Sequence, residues 1–241
     1  EIAKMHAAGL VVAAALDAVR AAIAPGVSPA DLDAIAEKTI RDAGATSNFK
    51  GYNAGGDVPY PDTICASVND EVVHGIPSKS VVLREGDVIS IDCGAVLDGW
   101  HGDSAFTAGV GAIDPDVARM LEVCEASMWR GIAAGVVGGR LSDIGHAVES
   151  YVRSRGSYGI VEEYGGHGIG TAMHQDPHVA NYGRPGKGLR LQAGLTLAVI
   201  LDAAVVRIDL LPVLMLLAGE RIWWLPRFLE RAHPRIALHH A

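Results

Sequence analysis

Ile23, Gly26, Val27, Leu32 and Ile35 recur 109 residues later as Ile132, Gly135, Val136, Leu141 and Ile144. A period that long is not a solenoid repeat, so the chain reads as two related halves rather than an array. Each half is predicted to be two helices followed by strands. In the first, Ile2, Met5, Gly9, Val12, Leu16, Val19 and Ile23 alternate three and four apart, which lays one stripe along a helix that Pro25-Gly26 stops. Ser28, Pro29 and Asp31 restart a helix as N-cap, first helical residue and dipole partner. Leu32, Ile35 and Ile40 line its buried side, and Gly44 ends it. In the second half, Asp114-Pro115 opens one helix and Leu141 to Arg155 makes the other.

Between the halves the period changes to two. Ile89, Ile91 and Cys93 point one way, Val88, Ser90 and Asp92 the other. Asp98-Gly99 is a two-residue hairpin signal. With that turn, Leu97 faces Trp100 and Gly94 faces Asp103, so Asp103 shares a sheet face with Asp92 as a diagonal neighbour about 7–8 Å away. Two carboxylates on one face at that separation can converge on a metal ion. Either one alone serves a turn or a solvated face as readily.

Composition narrows the function. Hydrophobic residues make up 49% of the chain, ample for a packed core. A net charge of −8 argues against nucleic acid as a direct partner. Cys65, Cys93 and Cys124 are odd in number and lack CxxC spacing, which fits a reduced cytoplasmic compartment, and no signal-peptide pattern is visible. His167 lies in Gly165-Gly166-His167-Gly168-Ile169-Gly170, where glycines permit close backbone approach. Its imidazole suits a metal ligand or a packed turn equally. His74 and His174 are further candidates, each of a type more often structural. Cys65 and Cys93 read as small buried hydrophobes.

Val73-His74-Gly75-Ile76-Pro77, Ile91-Asp92-Cys93-Gly94, His101-Gly102-Asp103-Ser104 and Gly166-His167-Gly168-Ile169-Gly170 together resemble type I methionine aminopeptidase. The eleven-residue step between the aspartates and the seven-residue step from His167 to His174 match as well. The resemblance covers residues 1–198 as a catalytic domain. It implies an α/β (α+β) pita-bread fold of two pseudo-symmetric halves, and a monomer is expected. It further implies a dinuclear metallohydrolase, using Co, Mn, Fe or Zn, that removes N-terminal methionine from nascent polypeptides near the ribosome. By that resemblance Asp92 chelates one metal, Asp103 bridges both and His167 binds the other. His74 and His174 act on the scissile peptide, while Tyr60, Cys65 and Met173 build the methionine pocket. A related Xaa-Pro peptidase and a non-catalytic pita-bread peptide-binding module are the alternatives.

The sequence departs from that family near residue 199. The family's Thr-x-x-Ile-Glu-Pro strand corresponds to Gly194-Leu195-Thr196-Leu197-Ala198-Val199-Ile200, with Ile200 in the place of a metal-binding glutamate. A second glutamate, expected in a Glu-His pair, has no counterpart, since Glu220 and Glu230 lie in Arg-rich surroundings. Asp92 and Asp103 then balance one divalent ion, so at most one is expected and activity is expected to be impaired. Residues 199–241 are read as an unrelated apolar helical tail that replaces the last strands. Leu201-Asp202-Ala203-Ala204-Val205-Val206-Arg207 and Trp223-Trp224-Leu225-Pro226-Arg227 resemble the last helix and exit of an MMPL/RND-type membrane transporter, which makes membrane association through the tail an expectation.

Overall fold

The computed structural model describes residues 1–53 and 58–198. Helices α1 (Ile2–Ala22) and α2 (Pro29–Asp42) precede strands β1 (Thr46–Ser47), β2 (Ile64–Val68), β3 (Val88–Leu97) and β4 (Trp100–Gly109). The second half repeats the plan with α3 (Pro115–Ala134), α4 (Leu141–Arg155), β5 (Gly166–Gly168), β6 (Gln175–Val179) and β7 (Leu197–Ala198). The transporter-like tail and the strand departure at Ile200 lie outside the described residues.

β3 is the axis of the first sheet. All its partners are antiparallel: β4 along one edge, β2 and β1 along the other. Ile89, Ile91 and Cys93 are fully buried under α1 and α2, as the two-residue period predicts. The opposite face of β3, carrying Ser90 and Asp92, is left for the cleft. In the second sheet β5 lies between β6 and β7.

The caps form as the sequence requires. Ser28 and Asp31 make a reciprocal capping box, with the Ser28 Oγ accepting from the Asp31 amide and the Asp31 carboxylate accepting from the Ser28 amide. Asp114 Oδ1 accepts from the Asp116 amide to open α3, and α4 spans the predicted Leu141 to Arg155. The α1 stripe needs correction at its start. Val12, Leu16 and Val19 are buried, but Ile2 is 64% exposed and the buried face runs instead through Ala8 and Val11. The cause is a close crossing: a Cβ on Gly102 of β4 would come within 2.9 Å of the Ala8 backbone, so small residues, not Met5, meet the sheet. α1 has the length and hydropathy of a membrane span, yet its apolar face packs on this sheet.

The two halves are real, but over the helices their equivalence is 112 residues rather than 109. The Gly26 amide donates to Leu83 O and the Leu83 amide to Val27 O; the Gly138 amide donates to Leu191 O and the Leu191 amide to Gly139 O. The Asp31 carboxylate that accepts from the Ser28 amide then coincides with the Asp143 carboxylate that accepts from the Arg140 amide. So do the buried faces of α1 (Ala8, Val11, Val12, Ala15, Val19) and α3 (Met120, Val123, Cys124, Ser127, Gly131). Beyond the helices the spacing shortens to 108 residues, pairing Leu83 with Leu191 and then Gly86 with Gly194, whose φ values are 89° and 90°. Counted onward from those glycines, the sequence counterpart of Asp92 is Ile200.

Candidate metal centre and peptide cleft

The β3–β4 turn forms at Asp98-Gly99, with φ of 51° and 77°, the left-handed pair that a two-residue hairpin demands. Its register pairs Leu97 with Trp100, Gly94 with Asp103 and Asp92 with Ala105. Asp92 and Asp103 therefore sit diagonally on the cleft face, as the sequence requires, and their carboxyl groups are hydrogen-bonded to each other. Burial drives the Asp103 titration well above the ordinary carboxylate range, against the opposing pull of Asp92 and the Ser104 amide. A buried carboxyl pair of this kind binds a proton or a cation.

His167 approaches from the other half. β5 carries it between His178 of β6 and Ala198 of β7, and the His101 amide of β4 donates to Gly170 O at 2.9 Å to tie the two sheets together. The glycines around it are needed for close approach: a Cβ on Gly168 would stand 2.3 Å from Asp176 O. His167 Nδ1 lies 2.9 Å from Gly168 O, an arrangement in which Nδ1–H donates and Nε2 keeps its lone pair. That Nε2 is buried without a hydrogen-bond partner, 3.8 Å from Asp103 Oδ2, and Asp103 Oδ1 is unpartnered too. Metal–nitrogen and metal–oxygen bonds of about 2.0–2.2 Å fit across that gap. Asp103 and His167 thus have spare lone pairs for a divalent ion, and Asp92 adds a second carboxylate of the right chemistry beside them. Among the described residues no group of three or more such side chains closes into a complete cage.

His74 and His174 line the same cleft, whose volume is about 300 Å³. His74 is held through its neighbour: the Gly75 amide donates to Ser67 Oγ, and Gly75 O accepts from the Ala66 amide and the Tyr60 hydroxyl. The His174 ring lies edge-on to His167, centroids 4.5 Å apart, and its Nδ1 meets the Tyr52 hydroxyl at 3.1 Å. Burial, with the charges that His167, His74 and His101 would carry, lowers the His174 pKa, so the ring is neutral at pH 7.

Tyr60, Cys65 and Met173 gather with Phe49 into a small apolar cluster, and Cys65 pairs with Asp92 across the β2–β3 ladder. Burial and then Asp92 push the Cys65 thiol up to about 12, which leaves it a neutral wall rather than a nucleophile. Cys93 is fully buried, again as a small hydrophobe. Phe49, Tyr52 and His178 were not singled out in the sequence, because nothing in their spacing marks them.

The chain matches metallopeptidase family M24 over residues 3–207. Methionine aminopeptidase 1 of Mycobacterium tuberculosis is 55% identical over 204 residues, covering 83% of this chain and 75% of that relative. Methionine aminopeptidase of Clostridium acetobutylicum is 49% identical, covering 83% and 77%. Among solved structures, methionine aminopeptidase from Thermotoga maritima superposes with a TM-score of 0.77 at 40% identity, covering 82% and 77%. The Xaa-Pro dipeptidase from Bacillus anthracis follows with a TM-score of 0.66 at 25% identity, covering 83% of this chain but 52% of that one.

Proposed function

Because this chain belongs to metallopeptidase family M24, and with the methionine aminopeptidases within it, we propose that its cleft takes N-terminal methionine from nascent polypeptides in the cytoplasm. Its class is metalloaminopeptidase and its architecture the pita-bread fold. The observation that carries the reading is the buried lone pair of His167 Nε2, aimed at the Asp92–Asp103 pair and beside an apolar pocket. Greater identity and coverage support methionine release over Xaa-Pro cleavage.

Asp92, Asp103 and His167 would hold the divalent metal that the family uses. The chemistry such an ion supplies is Lewis acidity toward the scissile carbonyl and toward water. Everything else falls to side chains of this chain. The Phe49–Tyr60–Cys65–Met173 pocket takes the thioether side chain, for which a soft apolar lining is suited. His74 and His174, neutral and facing the cleft, hydrogen-bond the scissile peptide and orient it. No Lys or Arg lines the cleft among the described residues, so a free N-terminal ammonium meets carboxylates and imidazoles.

Ile200 in the place of the second half's carboxylate supports a reduced site. Two aspartates balance one divalent ion, and the proton acceptor that a glutamate would provide is absent from that position. We therefore expect a single, weakly bound metal. A Co²⁺ titration of metal-free protein, read by d–d absorption and equilibrium dialysis, should saturate at one ion per chain. His167→Ala should weaken binding by about 10–100-fold. Two tightly bound ions would refute the reduced site, and unchanged affinity in His167→Ala would refute the ligand assignment. The incomplete cage favours one rival, a peptide-binding module that does not cleave; methionine-peptide binding indifferent to metal would select it.

A further inference from the structure

Asp33 is a carboxylate buried in the middle of α2, only 8% exposed, and the reaction as read above does not use it. Its Oδ1 accepts two amide hydrogen bonds, from Thr63 at 2.8 Å and Ile64 at 3.0 Å. Burying a carboxylate is costly, and here desolvation raises its pKa despite both amides. The helix repeat does not demand an acid there. The equivalent residue of α4 is Gly145, where a Cβ would meet Ala180 O at 2.4 Å. The acid therefore belongs to what the first half alone contains.

What the first half alone contains is attached to the backbone of Thr63 and Ile64. Ile64 O accepts from the Tyr60 hydroxyl at 2.9 Å. Thr63 O accepts from Ser47 Oγ at 3.0 Å, and that same Oγ accepts from the Phe49 amide at 3.0 Å. Cys65 is the next residue along β2. Three of the four walls of the apolar pocket, Phe49, Tyr60 and Cys65, thus hang on residues 63–65, and the Asp33 carboxylate ties the Thr63 and Ile64 amides of that segment to α2.

We propose that Asp33 is the positioning residue of the pocket: by fixing the Thr63 and Ile64 amides it sets where Phe49, Tyr60 and Cys65 stand, and so sets selectivity for the methionine side chain. The methionine part of this rests on the function proposed above; the anchoring part does not. Asparagine keeps the Oδ1 acceptor without the charge, whereas alanine leaves two buried amides unpaired.

The test compares full-length wild type, Asp33→Asn and Asp33→Ala, each shown folded by circular dichroism. Alkylation of Cys65 by N-ethylmaleimide is located by peptide mass mapping, and binding of Met-Ala-Ser and Leu-Ala-Ser is measured by calorimetry. Asp33→Ala should label at Cys65 about tenfold faster and lose about tenfold in preference for the methionyl peptide, with Asp33→Asn close to wild type in both. Should Asp33→Ala fail to fold, Asp33→Glu, which moves the carboxylate by one methylene, should give the same two changes. Folded Asp33→Ala or Asp33→Glu with unchanged Cys65 labelling overturns the proposal, as does equal weakening for both peptides. Wild type with no preference for the methionyl peptide refutes the methionine reading, and the labelling comparison then decides the anchoring by itself.

Discussion

Asp103→Asn should lower Co²⁺ affinity by about 100-fold or more while making the metal-free protein more stable at neutral pH. The first effect follows from removing a carboxylate whose Oδ1 is buried and unpartnered and whose Oδ2 faces His167 Nε2; loss of groups that merely support a ligand already costs about 10–100-fold. The second follows from burial. A carboxyl whose folded pKa is raised above its ordinary 3.8 contributes stability that is present below that value and lost as pH climbs through the raised one. Asparagine has no such titration, so its advantage over aspartate should grow from about pH 4 toward neutrality. Thermal melts of metal-free protein at several pH values check this, with each kcal/mol appearing as about 2–4 °C. A variant less stable than wild type at every pH would make Asp103 a structural residue instead.

Ile200→Glu should act in the opposite direction, strengthening Co²⁺ binding by about 10–100-fold. The pseudo-repeat that equates Leu83 with Leu191 and Gly86 with Gly194 equates Asp92 with position 200, so a carboxylate there would supply the second half's share of the ligands. It would raise the ligand charge from two carboxylates to three and return a proton acceptor to the site. Equilibrium dialysis of the variant beside wild type measures the gain. Unchanged affinity would mean that position 200 does not serve the metal.

Much of the centre was legible because it rests on short-range rules. A period of two and an Asp-Gly turn fix the hairpin register, and the register alone brings Asp92 and Asp103 to one face. His167 was legible through its glycines, which close approach to Asp176 requires. The repeat reads three residues short from apolar positions alone because these recur three and four apart on a helix, so a shift of three lays one stripe over another. What the two helix starts share is the aspartate that accepts from the N-cap amide, Asp31 and Asp143, and those lie 112 apart. Tyr52 and Asp33 were illegible for a different reason. Tyr52 acts on a residue 122 positions away and Asp33 on one 30 away, through contacts that no local pattern encodes.

Whether this cleft is a reduced, metal-dependent methionine-releasing site is decided by methionine release from Met-Ala-Ser, scanned over Mn²⁺, Co²⁺ and Fe²⁺ with a chelator control and Ile200→Glu alongside. Any release by wild type should be abolished by the chelator, require metal in excess and stay at least about tenfold below the variant. Release that persists in chelator, or that matches the variant at low metal, would contradict that reading.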